Sequence, residues 1–139
     1  MTERHPRGIL DTSTFVQLTK VDDPAALPNE PLLTTITLAE LSVGPLVATS
    51  DEERACRQAH LQEAEADFDP LPLDADAARA FARVAASLRS TGRKPTARSF
   101  DALIAAIALA HQLPVYTCNA EDFAGIDDLV VVAVPVNAD

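Results

Sequence analysis

Four acidic residues lie where the apolar runs of this 139-residue chain end or begin, positions from which carboxylates can do chemistry. They are Asp11, Glu40, Asp101 and Asp122. In a parallel α/β sheet, the carboxyl ends of the strands and the adjoining helix starts meet at one edge, where ligands bind. Carboxylates gathered at that edge repel each other unless protons or a divalent cation compensate their charge. The pattern therefore predicts a metal site.

The residue types at these positions indicate which metal to expect. Carboxylate oxygens without nearby His or Cys suit Mg²⁺ or Mn²⁺, and Mg²⁺ is usually held by one or two carboxylates together with water and substrate phosphate oxygens. Hydrolysis of a phosphodiester bond is the chemistry that such an ion supports. Thr12 and Ser13 directly follow Asp11 and are candidate supporting residues, although both are also favoured helix N-cap types.

Each acid also has a purely structural interpretation. Asp11 could cap the first helix, and Glu40 could complete a capping box that begins at Thr37. Asp101 could interact favourably with a helix dipole, and Asp122 could be a turn residue. Capping explains each residue singly about as well as metal binding does. The grouping of all four at one predicted edge favours the metal site.

Helical patterns alternate with short apolar strands along the chain. Strands are predicted at 9–10, 32–36, 113–117 and 129–136, and helices after Asp11, from Thr37, over 51–67, from Asp74 to Leu88, and from Ser99 onward. This alternation predicts a three-layer α/β/α fold with a mainly parallel central sheet. We expect one domain over 1–139, with a short N-terminal extension at 1–7.

The charge distribution limits the possible partners. The net charge of −10 argues against nonspecific nucleic-acid binding, yet six of the eleven basic residues fall between 79 and 98. Arg93, Lys94 and Arg98 precede Asp101 and are candidate RNA contacts, with a solvated surface as the alternative. The longest apolar stretch, 102–110, is about half of a membrane span, so we expect a cytoplasmic protein without a membrane partner.

The residues also resemble a known family, the PIN-domain ribonucleases and in particular the VapC-type toxins of bacterial toxin–antitoxin pairs. The resemblance runs from Ile9 to about Val134. It rests on Leu10-Asp11-Thr12-Ser13, Thr37-Leu38-Ala39-Glu40-Leu41, Phe100-Asp101-Ala102-Leu103-Ile104-Ala105-Ala106 and Thr117-x-Asn119-x-x-Asp122-Phe123.

What the resemblance implies is a PIN-like fold and an endoribonuclease that depends on Mg²⁺ or Mn²⁺. It also implies a VapB-type antitoxin partner and a homodimer. It assigns Asp11, Glu40 and Asp101 to the metal site. Either Asp122 or Asn119 completes the site, with Asp122 as the fourth acid and Asn119 as a supporting residue.

Several other functions compete with this interpretation. A haloacid-dehalogenase-like phosphatase would have a second Asp where Ser13 stands, and a response-regulator receiver would have a Lys on its last strands, whereas residues 99–139 contain no Lys or Arg. A PIN-like module that binds an antitoxin or nucleic acid without turnover is a non-catalytic alternative. A metal nuclease that cleaves DNA is another.

Overall fold

Four parallel strands form the centre of the computed structural model, which describes residues 5–93 and 99–137. The strands are β1 (Arg7–Leu10), β2 (Glu30–Leu32), β3 (Val115–Thr117) and β4 (Val131–Ala133). Their order in the sheet is β2-β1-β3-β4, and each neighbouring pair is parallel. The predicted parallel sheet is confirmed, with its two central strands, β1 and β3, bringing together segments from opposite ends of the chain.

Five α-helices in the described residues connect and cover the strands. They are α1 (Thr12–Val16), α2 (Thr35–Val43), α3 (Asp51–Asp67), α4 (Ala75–Ser90) and α5 (Ser99–His111). Short 3-10 helices occur at 18–20, 24–26, 44–47 and 120–123. Asp74 is the N-cap of α4, as predicted, because its side chain accepts a hydrogen bond from the backbone N–H of Ala77 at 3.0 Å.

The sheet is covered on both faces, because successive residues of a strand point to opposite sides. Ile9 and Val115 belong to a buried cluster with the apolar faces of α4 and α5. Their neighbours Leu10 and Tyr116 belong to a second cluster that includes Phe15 and residues of α2 and α3. The predicted three-layer α/β/α arrangement is therefore confirmed. No helix in the described part of the chain is long and apolar enough to cross a membrane.

The second predicted strand, 32–36, is wrong at its carboxyl end. Thr34 is extended, at φ −112° and ψ 163°, and its side chain accepts from the backbone N–H of Thr37, so Thr34 is the N-cap of α2. The predicted capping box with Thr37 at the N-cap is wrong for the same reason. Glu40 consequently lies in the second turn of α2 and not in its first. The β-branched run 34–36 suggested a strand, but N-cap hydrogen bonding ends the extended segment at Thr34.

The boundaries of the other strands also differ from those predicted. β3 and β4 are each three residues long, shorter than the apolar runs 113–117 and 129–136. At the N-terminus, β1 begins at Arg7, which pairs with Glu30 of β2. The last residue of the expected extension 1–7 is thus part of the sheet. Apolar residues beyond the hydrogen-bonded ladder are buried by the helices, which the sequence pattern does not distinguish from strand residues.

Candidate active site

Asp11 occupies the position directly after β1 and is the N-cap of α1. Its Oδ1 accepts a hydrogen bond from the backbone N–H of Thr14 at 3.0 Å, and its own backbone N–H donates to the carbonyl of Tyr116 at 3.2 Å. The residue is only 3% exposed. A buried carboxyl group needs hydrogen-bond partners, and the local fold supplies them.

Three hydroxyl groups hold the carboxyl group of Asp11. Thr14 Oγ1 donates to Oδ1 at 2.6 Å, Thr117 Oγ1 donates to Oδ2 at 2.7 Å, and Ser13 Oγ lies 3.1 Å from each oxygen. Thr14 and Thr117 are fully buried. The two short bonds reach different oxygens of the carboxyl group, one from α1 and one from β3, and together they fix its orientation.

Backbone amides at the end of β3 determine where the two threonine protons point. The N–H of Cys118 donates to Thr14 Oγ1 at 3.0 Å, and the N–H of Asn119 donates to Thr117 Oγ1 at 2.9 Å. A hydroxyl has one proton to give. The nearest acceptor to each hydroxyl is an oxygen of Asp11, so both protons point toward that side chain.

Glu40 is linked to the start of α1 by a hydrogen bond from Thr12, the residue that follows Asp11. Thr12 Oγ1 donates to Glu40 Oε1 at 2.7 Å, and the hydroxyl of Thr37 lies 2.9 Å from Thr12 Oγ1. Because Thr12 gives its single proton to Glu40, Thr37 is the donor in the second bond.

The pKa of Glu40 is raised above its ordinary value. Burial of the half-exposed side chain is the largest cause, the hydrogen bond from Thr12 acts in the opposite direction, and the negative charge of Asp11 raises the pKa further. The hydrogen bond from Thr12, the residue after Asp11, is the contact through which the fold brings these two acids together. Removing the repulsion between their charges requires a proton or a cation.

Asp101 lies in the first turn of α5 and is half-buried. α5 directly precedes β3 and covers one face of the parallel sheet, so it runs opposite to the strands and begins at the edge where Asp11 lies. α2 packs against α5, with Ile36 touching the cluster that contains Ala102 and Ala105. The helices that carry Glu40 and Asp101 are therefore in contact.

Asp122 and Asn119 follow β3 at this same edge. Asp122 is half-buried in the 3-10 helix 120–123, and its backbone N–H donates to the carbonyl of Asn119 at 2.9 Å. Asn119 is exposed. Within 5–93 and 99–137, no group of three or more Asp, Glu, His or Cys side chains is arranged so that it could hold a metal ion. The structure thus links Asp11 to Glu40 through Thr12 and places Asp101 on a neighbouring helix.

Of the predicted RNA contacts, only Arg93 can be placed. Its Nη1 donates to the carbonyl of Ala124 at 3.1 Å, immediately after the 3-10 helix that carries Asp122. Lys94 and Arg98 lie outside the described residues.

Sequence reasoning missed two sets of residues near the acids. One set consists of the buried hydroxyl residues Thr14, Thr37 and Thr117. The sequence could have indicated them, because each lies within a few positions of a predicted acid. The other set consists of Arg57 and His60 on α3, which line the same cleft as Glu40. Nothing in the sequence pattern of α3 distinguishes these two from its other charged residues.

Comparison with known proteins identifies the family to which the chain belongs. The family model described as PIN domain matches residues 9–129, most of the chain and all four predicted acids. The chain belongs to the PIN-domain family. Ribonuclease VapC5 of Mycobacterium tuberculosis is 43% identical over 122 residues, covering 86% of this chain and 87% of that protein. Ribonuclease VapC4 of the same organism is 31% identical over 130 residues, covering 92% and 97%.

Solved structures of PIN-domain relatives share the fold. A crystal structure of VapBC-5 from Mycobacterium tuberculosis, a member of the VapBC family of toxin–antitoxin systems, matches with a TM-score of 0.82 and 40% identity. The match covers 93% of this chain and 99% of that chain. VapBC-1 from nontypeable Haemophilus influenzae matches with a TM-score of 0.70 and 26% identity, covering 91% and 97%.

Proposed function

We propose that this PIN-domain protein is the toxin of a type II toxin–antitoxin pair and acts as a metal-dependent endoribonuclease that hydrolyses RNA phosphodiester bonds. The observation that carries the proposal is the Asp11–Glu40 pair at the carboxyl edge of the sheet, where Thr12, the residue after Asp11, donates to Glu40 at 2.7 Å. Burial raises the pKa of Glu40, and the charge of Asp11 raises it further. The similarity to proteins named ribonuclease VapC supports RNA as the substrate. Because its substrate is RNA, we place the protein in the cytoplasm.

The donor set fits Mg²⁺ or Mn²⁺. Asp11 and Glu40 offer carboxylate oxygens at one place, and two carboxylates are enough when water and substrate phosphate complete the coordination shell. We assign Asp101 and Asp122 as further acids of the site, with Asn119 as a supporting residue. When bound, the ion supplies positive charge to the scissile phosphate and activates water for its hydrolysis.

The remaining residues of the site keep the two acids oriented. Thr14 and Thr117 hold Asp11 from both sides, and Thr12, itself held by Thr37, holds Glu40. Side chains fixed in this way lose little conformational freedom when an ion or substrate binds, which is the advantage of a preorganised site. Arg93, together with Lys94 and Arg98, is assigned to contact RNA phosphates.

The test is cleavage of RNA and of DNA by the purified protein, each with Mg²⁺, with Mn²⁺ and with EDTA. We expect RNA cleavage that needs the metal and is lost in Asp11→Asn. The matched control is Asp76→Asn, an exposed acid on α4 that pairs with Arg79 and should cleave like the parent. Equal cleavage by Asp11→Asn would contradict the assignment of the site, and cleavage of DNA alone would contradict the substrate.

The antitoxin is the second part of the proposal. Relatives of this chain form VapBC complexes, and three apolar side chains after Leu41 are unusually exposed. Val43, Leu46 and Val47 are 52%, 85% and 60% exposed. Covering such side chains is favourable for a partner with an apolar helix face. Co-expression with a neighbouring VapB-type protein should yield a stable complex, and Leu46→Glu should weaken it.

A homodimer is the assembly that we propose for the toxin itself, and light scattering of the purified chain measures it directly. The non-catalytic alternative is a PIN-like module that binds the antitoxin or nucleic acid without turnover. Protein that forms the antitoxin complex but cleaves no RNA with either metal would favour that alternative.

A further inference from the structure

We infer that Arg57 and His60 on α3 form the binding site for one RNA phosphate beside the acid pair. The inference rests on the proposed function, since it names the part of that site that receives the substrate backbone. It starts from a cleft of about 220 Å³ between α1, α2 and α3, whose lining includes Thr12, Glu40, Gly44, Arg57 and His60. Glu40 of the acid pair and the two basic residues thus line the same small cleft.

Arg57 is held in place from two directions. Its Nη1 donates to the carbonyl of Gly44 at 2.9 Å, and its Nη2 forms an ion pair with Glu53, one turn earlier on α3. The stem of Arg57 lies across Gly44, whose missing side chain leaves room for it. A guanidinium has five N–H donors, so these contacts orient the group while leaving capacity for a phosphate oxygen.

His60 lies one helical turn after Arg57 on the same face of α3. Its ring meets the ring of Phe15 edge-on, with centroids 6.4 Å apart and an interplanar angle of 67°. Phe15 is buried, so this contact fixes the imidazole at the rim of the cleft. The ring N–H is a donor that a phosphate oxygen can accept.

The charge distribution explains why such a site is needed. The chain carries a net charge of −10, and Asp11 and Glu40 repel a phosphate unless positive charge lies close by. In the part of the chain that the structure describes, Arg57 is the only Arg or Lys that lines the cleft.

The neighbouring surface limits the site to one phosphate. A cavity of about 530 Å³ shares Arg57 and His60 with the cleft and continues toward the start of α3. Its lining there includes Glu52 and Glu53, which disfavour a second phosphate. Each phosphate of a single-stranded nucleic acid that the protein neutralises adds about 0.7 to the steepness with which log K falls with log salt, so one contact contributes about 0.7.

The test compares the full-length parent with Arg57→Gln and with the control Arg54→Gln, in RNA cleavage and in fluorescence anisotropy with a labelled RNA oligonucleotide. Arg54 lies on the same helix, is exposed and pairs with Asp51, but does not line the cleft. We expect Arg57→Gln to raise KM and Kd about tenfold, to leave kcat within about twofold and to reduce the salt slope by about 0.7. His60→Gln should raise KM less, and Arg54→Gln should change neither constant.

Glu53→Gln separates phosphate binding from a structural role of Arg57. If Arg57 only ties α3 to Gly44, removing its ion-pair partner should impair the enzyme in the same direction as Arg57→Gln. If Arg57 binds phosphate, Glu53→Gln removes a competing negative charge and should lower KM and Kd.

Unchanged KM, Kd and salt slope in Arg57→Gln would overturn the inference while leaving the proposed function intact. So would a loss of antitoxin affinity alone, which would assign Arg57 to an acidic segment of that partner. If the parent cleaves no RNA, the proposed function fails, and the anisotropy measurement still decides whether Arg57 binds phosphate.

Discussion

Thr117 Oγ1 donates a hydrogen bond to Asp11 Oδ2 at 2.7 Å, although 106 positions separate the two residues in the chain. The contact exists because β1 and β3 are parallel neighbours, so their carboxyl ends coincide. The backbone N–H of Asn119 donates to the same hydroxyl at 2.9 Å and directs its proton toward Asp11. The end of β3 therefore orients an acid that β1 positions.

The first prediction tests this contact through Thr117→Val. The substitution keeps the shape but leaves an Asp11 oxygen and the N–H of Asn119 without their buried partner, which costs about 1–3 kcal/mol of folding free energy. We expect RNA cleavage to fall at least about tenfold in kcat, because Asp11 loses one of its two short bonds. Urea unfolding and initial cleavage rates measure the two effects.

Thr117→Ser is the conservative control for that prediction and should retain most activity, since it keeps the hydroxyl. Ser13→Ala removes a hydroxyl that lies 3.1 Å from both oxygens of Asp11 and should have a much smaller effect than Thr117→Val. A serine variant as impaired as the valine variant would mean that packing, and not the hydrogen bond, is what Thr117 contributes.

The second prediction concerns the pH dependence of stability and uses Glu40→Gln. The pKa of Glu40 is raised from 4.5, so the folded state holds this proton at a higher pH than the unfolded state does. Its contribution to stability is fully present below pH 4.5 and is lost as the pH rises through the raised pKa. At pH 7.5 in EDTA, the charged Glu40 beside Asp11 should therefore make the parent less stable than Glu40→Gln.

Thermal unfolding of both proteins between pH 4 and pH 8 in EDTA measures that difference. The advantage of Glu40→Gln should shrink as the pH is lowered toward 4.5. In a separate assay with Mg²⁺ or Mn²⁺, the variant should have lost RNA cleavage. A Tm difference that is independent of pH would contradict the predicted role of the Glu40 charge.

The third prediction tests the observed N-cap of α2, Thr34, against its neighbour Thr35. Thr34→Ala removes the side chain that accepts from the N–H of Thr37 at 3.2 Å, and should cost about 0.5–2 kcal/mol of unfolding free energy. Thr35→Ala, at the next position along the chain, should change stability by less than about 0.5 kcal/mol, because Thr35 is not the capping residue. Equal losses of unfolding free energy in both variants would show that β-branched side chains, and not the cap, stabilise the start of α2.

The order of strands and helices could be predicted from the sequence because it depends on local patterns. Asp11 and Asp74 are N-caps in the structure, and both follow from residue type and the apolar spacing of the helix after them. The start of α2 could not be predicted in this way, since Thr34, Thr35 and Ile36 favour a strand by type. Thr34 pairs with Leu71, whose N–H donates to the carbonyl of Leu33 at 2.9 Å, so a contact with a distant residue keeps the chain extended up to the N-cap of α2.

The candidate site shows the same division between local and long-range information. The acids were found from their positions after apolar runs, but the partners of Asp11 and Glu40 depend on which elements become neighbours. Arg57 reaches the acid cleft only because α3 packs beside α2 and the 3-10 helix 44–47. A single sequence carries no local signal for that packing.

The fourth prediction tests metal binding without relying on cleavage. A ligand that binds only the folded state raises its stability by about RT ln(1 + [L]/Kd), so Mg²⁺ or Mn²⁺ should raise the Tm of the parent in a concentration-dependent way. The shift should grow as the pH rises above 4.5, the ordinary pKa of Glu40, because Glu40 must lose its proton before it can coordinate an ion and its pKa is raised. Asp11→Asn and Glu40→Gln should each remove most of the shift, whereas Asp76→Asn should keep it. Equal shifts in all four proteins would place the ion elsewhere on this acidic surface and would contradict the assignment of Asp11 and Glu40 as its ligands.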